Sequence, residues 1–276
     1  MQLAVFTVML PDLTPEEAAR EISAAGYTGV EWRVKAAAPE QQNEPVSFWG
    51  NNLCTFAPTE EEAIRARDLS NRFGLATPNI GSYVATGDVE EAKRAVQFAK
   101  ALGSPHFRLG TRNFGGDYAR ELEEAQQFLR DVIPLAKAAG VKPLVEIHHR
   151  MITASASLTH KLVSPFSPHE VGVIHDAGNM VHEGFEDYRL GLELLGDYLT
   201  EVHVKNAAFE PQENGVWQGI WAPLRSGVVD FDALFKALKR VGYDGWLVLE
   251  DFSQSLPSKE ALRDNFDFVS SAWQAA

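Results

Sequence analysis

Four residues in this chain join a chemically useful side chain to an unusual setting. Glu146 closes the run Leu144-Val145, Asp176 follows Val173-Ile174-His175, His203 lies between Val202 and Val204, and Glu250 follows Val248-Leu249. An acid at the end of an apolar run is driven toward burial, which is costly unless something pairs with it. Three such acids brought together would repel one another. A divalent cation removes that repulsion. Three carboxylates and one imidazole form an oxygen-rich donor set without sulfur, which suits Mn²⁺ first and Mg²⁺ or Co²⁺ as well, with Zn²⁺ compatible. Four protein ligands leave positions open for water or for a substrate's oxygens. Taken singly, each acid reads as a salt-bridge partner and His203 as a core histidine. Their recurrence on four successive apolar runs points to one divalent ion.

Those runs must be strands whose ends converge. The sequence repeats one phrase: a helical pattern ends in Gly, a short turn follows, then a buried strand. It reads Ala24-Ala25-Gly26-Tyr27-Thr28-Gly29-Val30-Glu31-Trp32 and again Arg240-Val241-Gly242-Tyr243-Asp244-Gly245-Trp246-Leu247-Val248. Looser copies contain Gly74, Gly103, Gly140 and Gly196. Glycine just past a helix end adopts the left-handed conformation that caps the last carbonyls. Helix starts are legible at Thr14-Pro15-Glu16-Glu17, Thr59-Glu60-Glu61-Glu62, Asp230-Phe231-Asp232 and Ser258-Lys259-Glu260, where capping residues precede acids in the first turn. The strands fall at Leu3–Val8, Gly29–Arg33, Ala76–Ile80, His106–Gly110, Pro143–Ile147, Val171–His175, Glu201–Lys205 and Trp246–Glu250. Several are nearly continuous apolar runs, as parallel strands covered by helices require.

Eight strands alternating with helices over 276 residues predict one (β/α)8 TIM barrel domain spanning 1–276, since that fold takes about 250 residues. An open doubly wound sheet would show a Gly-rich turn after its first strand; here that turn is Met9-Leu10-Pro11-Asp12. Two loops are long, Val34–Pro58 and Ala207–Val229, and both leave from C-terminal strand ends, where barrels build their sites. They carry Phe48, Trp49 and Phe56, and Phe209, Trp217 and Trp221. They read as pocket walls or a lid, or else as a subunit contact or local mini-core.

Composition narrows the function classes. With 45% apolar residues, the chain can bury a sizeable core. A formal net charge of −13 repels phosphate backbones and argues against a nucleic-acid partner. The single cysteine, Cys54, excludes an internal disulfide and a thiolate cluster and reads as a packing residue. No basic n-region opens the chain and no apolar stretch approaches the roughly 20 residues of a membrane helix. The expectation is a soluble cytoplasmic protein without a membrane partner.

With these residues placed, the chain resembles the xylose-isomerase-like barrel superfamily, in particular its sugar epimerase, ketose isomerase and inosose-metabolism branch. The resemblance covers essentially the whole chain. It rests on the opening strand, Gly26-Tyr27-Thr28-Gly29-Val30-Glu31, Glu146, the stretch His203-Val204-Lys205-Asn206, and Glu250 after Gly242-Tyr243-Asp244-Gly245. It implies one metal bound by Glu146, Asp176, His203 and Glu250. It also implies that Glu146 and Glu250 flank a hydroxy-ketone and exchange a proton at carbon through a metal-stabilised enediolate. Two departures stand out. Many members carry a substrate-contacting histidine where this chain has Asn179, and many have Asp where it has Asn206.

Other residues are candidates for substrate binding. His148 shares strand parity with Glu146, and Lys205 with His203; each reads as a substrate contact or as a structural residue. Arg33, Arg108, Arg112, Arg150 and Arg225 lie near strand ends. They suggest a pocket for an acidic or phosphorylated sugar, with Arg112 and Arg225 foremost, or else pairing with Glu31 and other local acids. Trp221 and Trp32 could stack on a sugar ring. The resulting expectation is a metal-dependent isomerase or epimerase of a sugar or related polyol, in a chain that could assemble as a dimer or tetramer. The rival within enzymes is an inosose-type dehydratase on the same metal site. A metal-dependent endonuclease conflicts with the charge, and a non-catalytic binding barrel with the retention of both Glu146 and Glu250.

Overall fold

The computed structural model describes residues 1–36, 40 and 43–276. The remaining five positions fall in the Val34–Pro58 loop and lie outside the described residues. In chain order the strands are β1 (Gln2–Phe6), β2 (Gly29–Val34), β3 (Thr55–Phe56), β4 (Ile80–Ser82), β5 (Val84–Ala85), β6 (His106–Gly110), β7 (Lys142–Glu146), β8 (Gly172–Asp176), β9 (Leu199–Val204), β10 (Asn206–Pro211), β11 (Trp217–Ala222) and β12 (Trp246–Leu249). Parallel pairing runs β2–β1–β12–β9–β8–β7–β6–β5, and β4 pairs with β2. Since β4 passes into β5 through Tyr83 alone, the third position of the ring is one strand in two pieces. One piece holds β2 and the other holds β6, and the sheet closes on itself.

The helices are α1 (Pro15–Ala24), α2 (Glu60–Phe73), α3 (Val89–Leu102), α4 (Tyr118–Ala139), α5 (Ala156–Val163), α6 (Ala177–His182), α7 (Tyr188–Leu195), α8 (Phe231–Arg240) and α9 (Ser258–Ala275). Apart from the short α6, each packs on the next, and α9 returns to α1. The result is the α/β architecture of a TIM barrel. Its local causes are those the sequence supplies. Thr14 and Glu17 form a capping box, and Thr59 and Asp230 accept from Glu62 and Ala233 N–H. Gly74, Gly103 and Gly140 end α2, α3 and α4 in the left-handed conformation.

Two elements differ from the sequence expectation. The third strand begins at Ile80, not Ala76, because Pro78 has no N–H to offer a ladder; Ala76 makes only an isolated bridge to Gly29. The Ala207–Val229 segment is largely an antiparallel ribbon of β10 and β11, with Asn206 opposite Ala222 and Pro211 opposite Trp217. No helix among the described residues is long and apolar enough to cross a membrane.

The core also carries a buried histidine that the site does not use. His175 in β8 is fully buried, and neither ring nitrogen meets a partner from another residue. Strand alternation turns it from Asp176 toward the helix layer. Burial lowers its pKa from 6.5 to about 4. Because the folded pKa lies below the unfolded one, the unfolded chain takes the proton first as pH falls. His175 therefore costs no stability above pH 6.5, and up to about 3 kcal/mol is lost as pH drops from 6.5 to 4. Urea titrations across this window should show that decline, and His175→Leu should remove its share of the slope. An identical slope in the variant contradicts the assignment.

Candidate metal centre

The four residues that open the sequence argument meet at one point. Glu146 ends β7, Asp176 ends β8, His203 lies in β9, and Glu250 follows β12. These are four adjacent strands of the ring, with Glu146 and Glu250 at the two ends of the arc. His203 Nδ1 lies 3.3 Å from Glu146 Oε1, 3.5 Å from Glu250 Oε2 and 3.8 Å from Asp176 Oδ2. All four donor atoms fall within 4.8 Å of one another, and all four residues are buried. Donors held about 2.1 Å from one ion stand about 3.0–3.5 Å apart in octahedral or tetrahedral arrangements, so the spacing fits a small divalent cation. Glu146 Oε1 and His203 Nδ1 have no hydrogen-bond partner, which is costly for buried polar atoms unless a cation takes their lone pairs.

Two fixed cations share the cluster. Arg108, in β6, donates from Nη1 to Glu146 Oε2 at 3.0 Å. Lys205 places Nζ 2.7 Å from Asp176 Oδ2 and in contact with Glu250 Oε2, under the rings of Trp221 and Phe252 at 5.2 Å each. Burial pushes each carboxyl up, and these charges decide the outcome. Arg108 and His203 hold Glu146 well below the usual carboxylate range, and Lys205 and His203 bring Glu250 down to about 2. For Asp176, burial prevails, with Glu250 and Glu146 adding to it, and its pKa is raised. Lys205 and His203 are both raised against the opposing effect of burial, Lys205 by Asp176 and Glu250, His203 by Glu250 and Glu31. Glu146 and Glu250 thus stand ionised at neutral pH.

Above the cluster lies a cavity of about 540 Å³ bordered by Glu146, Glu250, Lys205 and Arg108 and walled by Trp49, Trp221 and Phe252. The aromatic wall is continuous: Phe252 lies 4.8 Å from Trp49 and 5.6 Å from Trp221 between ring centroids. His148 also borders the cavity; its Nδ1 meets the His149 carbonyl and its ring stacks on His149 at 4.5 Å. Asn179 reaches the cavity edge with its polar atoms committed. Asp176 is the N-cap of α6, so Asn179 N and Nδ2 donate back to it, at 2.8 and 2.9 Å, while Asn179 Oδ1 faces His149 Nδ1. Gly178 lets this turn press on Lys205, whose backbone oxygen would lie 2.8 Å from a Cβ there.

The structure places several of the other candidates away from the four-residue cluster. Arg225 is half exposed and held by Asp264 through Nε and Nη2, away from the cavity. Arg112 is exposed, donates to the Thr86 carbonyl and borders an adjoining cavity of about 410 Å³ that contains none of the four residues. Arg33 bonds to the Tyr83 hydroxyl, and none of the arginines named from the sequence pairs with Glu31. Trp32 is core: fully buried, bonded to Ser70 and packed on Phe56. Trp217 points to solvent with 63% exposure, and Phe209 is also exposed, so only Trp221 of that segment walls the cavity. Buried Cys54 has its thiol pushed up to about 12 by burial, which suits packing.

Some neighbours of the cluster escaped sequence reasoning. Glu201 precedes His203 by two positions on one strand, so its parity signals a shared face. Glu31 sits in the apolar run Val30-Glu31-Trp32, the same signal that marked the other acids. His149, His182 and Phe252 had no such signal, because loops and a short helix bring them in.

Fold and site together define a closed parallel β/α barrel with a buried carboxylate–histidine cluster at the C-terminal strand ends. The chain belongs to the xylose isomerase-like TIM barrel family, whose model matches residues 19–272. The inosose dehydratase of Clostridium botulinum (strain Alaska E43 / Type E3) is 26% identical over 273 residues, covering 87% of this chain and 84% of that protein. Among solved structures, the IOLI protein, described with a binding zinc atom, has a TM-score of 0.76 at 16% identity and covers 99% of both chains. The 3-keto-D-glucoside 4-epimerase YcjR of E. coli has a TM-score of 0.70 at 17% identity, over 98% of this chain and 99% of that one.

The cluster sets a direct expectation. After treatment with EDTA, added Mn²⁺ should raise the melting temperature, reaching about 2.7 kcal/mol of stabilisation at a free concentration of 100 times Kd. Asp176→Asn and His203→Ala should abolish the rise. An unmodified chain whose melting ignores Mn²⁺, Co²⁺, Mg²⁺ and Zn²⁺ alike contradicts the centre.

Proposed function

We propose that this chain is a metal-dependent isomerase or epimerase of a sugar or sugar-like polyol, working by proton transfer at the carbon beside a carbonyl. One observation carries the reading. Two ionised, buried carboxylates, Glu146 and Glu250, stand at opposite ends of a four-strand arc beneath one cavity, each steadied by its own cation.

Glu146, Asp176, His203 and Glu250 would hold one divalent ion. Three hard oxygen donors favour Mn²⁺, with Mg²⁺, Co²⁺ and Zn²⁺ compatible. When bound, that ion supplies polarisation of the substrate carbonyl, which acidifies the neighbouring C–H. Glu250 or Glu146 then removes the proton, and the resulting enediolate takes a proton back. Return on the other face, by the opposite carboxylate after it has taken up a proton from a substrate hydroxyl or water, inverts the carbon; return to the former carbonyl carbon, with the hydroxyl proton passing to the other oxygen, interconverts aldose and ketose. Lys205 and Arg108 present ammonium and guanidinium groups to developing oxyanion charge. Trp49, Trp221 and Phe252 would cover the apolar face of a sugar ring and exclude water, and His148 offers a polar edge to a hydroxyl.

A second reading is favoured by the sequence relatives, which are named inosose dehydratases. Dehydration begins with the same proton removal and then expels a neighbouring hydroxyl as water instead of returning the proton. Lys205, which lines the cavity, would be the acid offered to that leaving group.

NMR in D2O with a panel of aldoses, ketoses and inososes, supplied with Mn²⁺, Co²⁺ or Mg²⁺, separates the two readings. Isomerisation or epimerisation gives deuterium at carbon with no loss of water; dehydration gives a product one water lighter. Glu146→Gln and Glu250→Gln should each lower turnover by about 10²–10⁴-fold while the fold is retained. Full turnover in Glu250→Gln on a proven substrate would sink the proton-transfer reading.

A further inference from the structure

His203 shows its two ring nitrogens to two different sets of acids. Nδ1 faces Glu146, Asp176 and Glu250, as described above. Nε2 lies 3.2 Å from Glu31 Oε2 and 3.3 Å from Glu201 Oε1. Glu31 comes from β2 and Glu201 from β9, and both are buried, at 0% and 1% exposure. Glu201 Oε1 is steadied by Asn79, whose Nδ2 donates at 2.9 Å. Among the described residues, neither acid meets a lysine or an arginine; His203 is their shared cationic neighbour.

Burying two carboxylates beside each other is a poor way to stabilise a core, because desolvation and mutual repulsion both oppose it. Their placement makes sense through what they do to the ring. A neutral imidazole carries one proton on one of two nitrogens, and only the bare nitrogen can bind a cation. Nδ1 has no hydrogen-bond partner in the protein, whereas Nε2 is hydrogen-bonded to Glu31 Oε2 and has Glu201 Oε1 3.3 Å away. The proton therefore belongs on Nε2.

We propose that Glu31 and Glu201 are positioning residues for the cation centre, holding Nε2–H of His203 so that the Nδ1 lone pair points at Glu146, Asp176 and Glu250. They also make the ring a more basic ligand, since a carboxylate behind a ligating histidine raises its donor strength. Phe6, 6.1 Å from the ring centroid, packs beside the same imidazole. This inference rests on the reading that the four-residue cluster takes a divalent ion.

The test uses the full chain with Glu31→Gln and Glu201→Gln, both close to isosteric, and circular dichroism to confirm folding. Mn²⁺ affinity is measured by calorimetry after EDTA treatment. Histidine ring ¹⁵N–¹H spectra are recorded with Zn²⁺ bound. Each folded variant should bind Mn²⁺ about 10–100-fold more weakly, and the His203 Nε2–H resonance should shift. If one variant fails to fold, the other carries the test. Unchanged affinity together with an unchanged Nε2–H signal overturns the positioning role while leaving the centre in place. Two Mn²⁺ per chain also overturns it, because Glu31 and Glu201 would then be ligands themselves. No binding by the unmodified chain removes the centre and this inference together.

Discussion

The structure is organised around a charge problem at His203. Glu31, Glu146, Asp176, Glu201 and Glu250 surround one imidazole, all within the barrel interior. Arg108 and Lys205 are the fixed cations that touch this group. Five carboxylates against two cations leave three negative charges in the buried interior of the barrel. Such an excess would cost many kcal/mol. A dication held by Glu146, Asp176, His203 and Glu250 would remove two of the three charges. Burial and the Glu201 charge raise the pKa of Glu31 to about 8, which eases its share of the excess.

That balance explains why the acids sit on strands. A cation centre tolerates little error in donor position, and strand ends fixed by parallel pairing on both sides move less than loops. The pairing of β7, β8, β9 and β12 sets the arc, with Asp176 opposite His203 and Val204 opposite Leu249. The loops do a different task. Trp49, Trp221 and Phe252 reach the cavity from segments beyond the strand ends, where side chains can change without disturbing the cluster. They wall the cavity above a floor of charged groups. Asn179 belongs to the floor: in capping α6 through Asp176, it spends its polar atoms on a carboxylate.

Much of this was legible in the sequence because the signals were local. An acid at the end of a β-branched run announces Glu146, Asp176 and Glu250 without reference to distant residues. Helix caps at Thr14, Thr59 and Asp230 are equally local. Non-local features were missed. Arg225 and Arg108 look alike along the chain, both near a strand end. Only packing shows that one meets Asp264 on the surface and the other meets Glu146 in the core. The β10–β11 ribbon hides in a segment of mixed composition with no alternation strong enough to mark it. Pro78 displaced the third strand by four residues, from 76 to 80, a shift the apolar pattern does not disclose. Glu31 and Glu201 carried the right local signal, but the partner that makes sense of them is His203.

The central claim is that one divalent ion occupies the space between Glu146, Asp176, His203 and Glu250. Anomalous diffraction at the manganese edge, from crystals grown with Mn²⁺, tests it most directly. The account requires one strong peak about 2.0–2.3 Å from Glu146 Oε1, Asp176 Oδ2, His203 Nδ1 and Glu250 Oε2. No peak at that point, or a peak on the Nε2 side between Glu31 and Glu201, would contradict it.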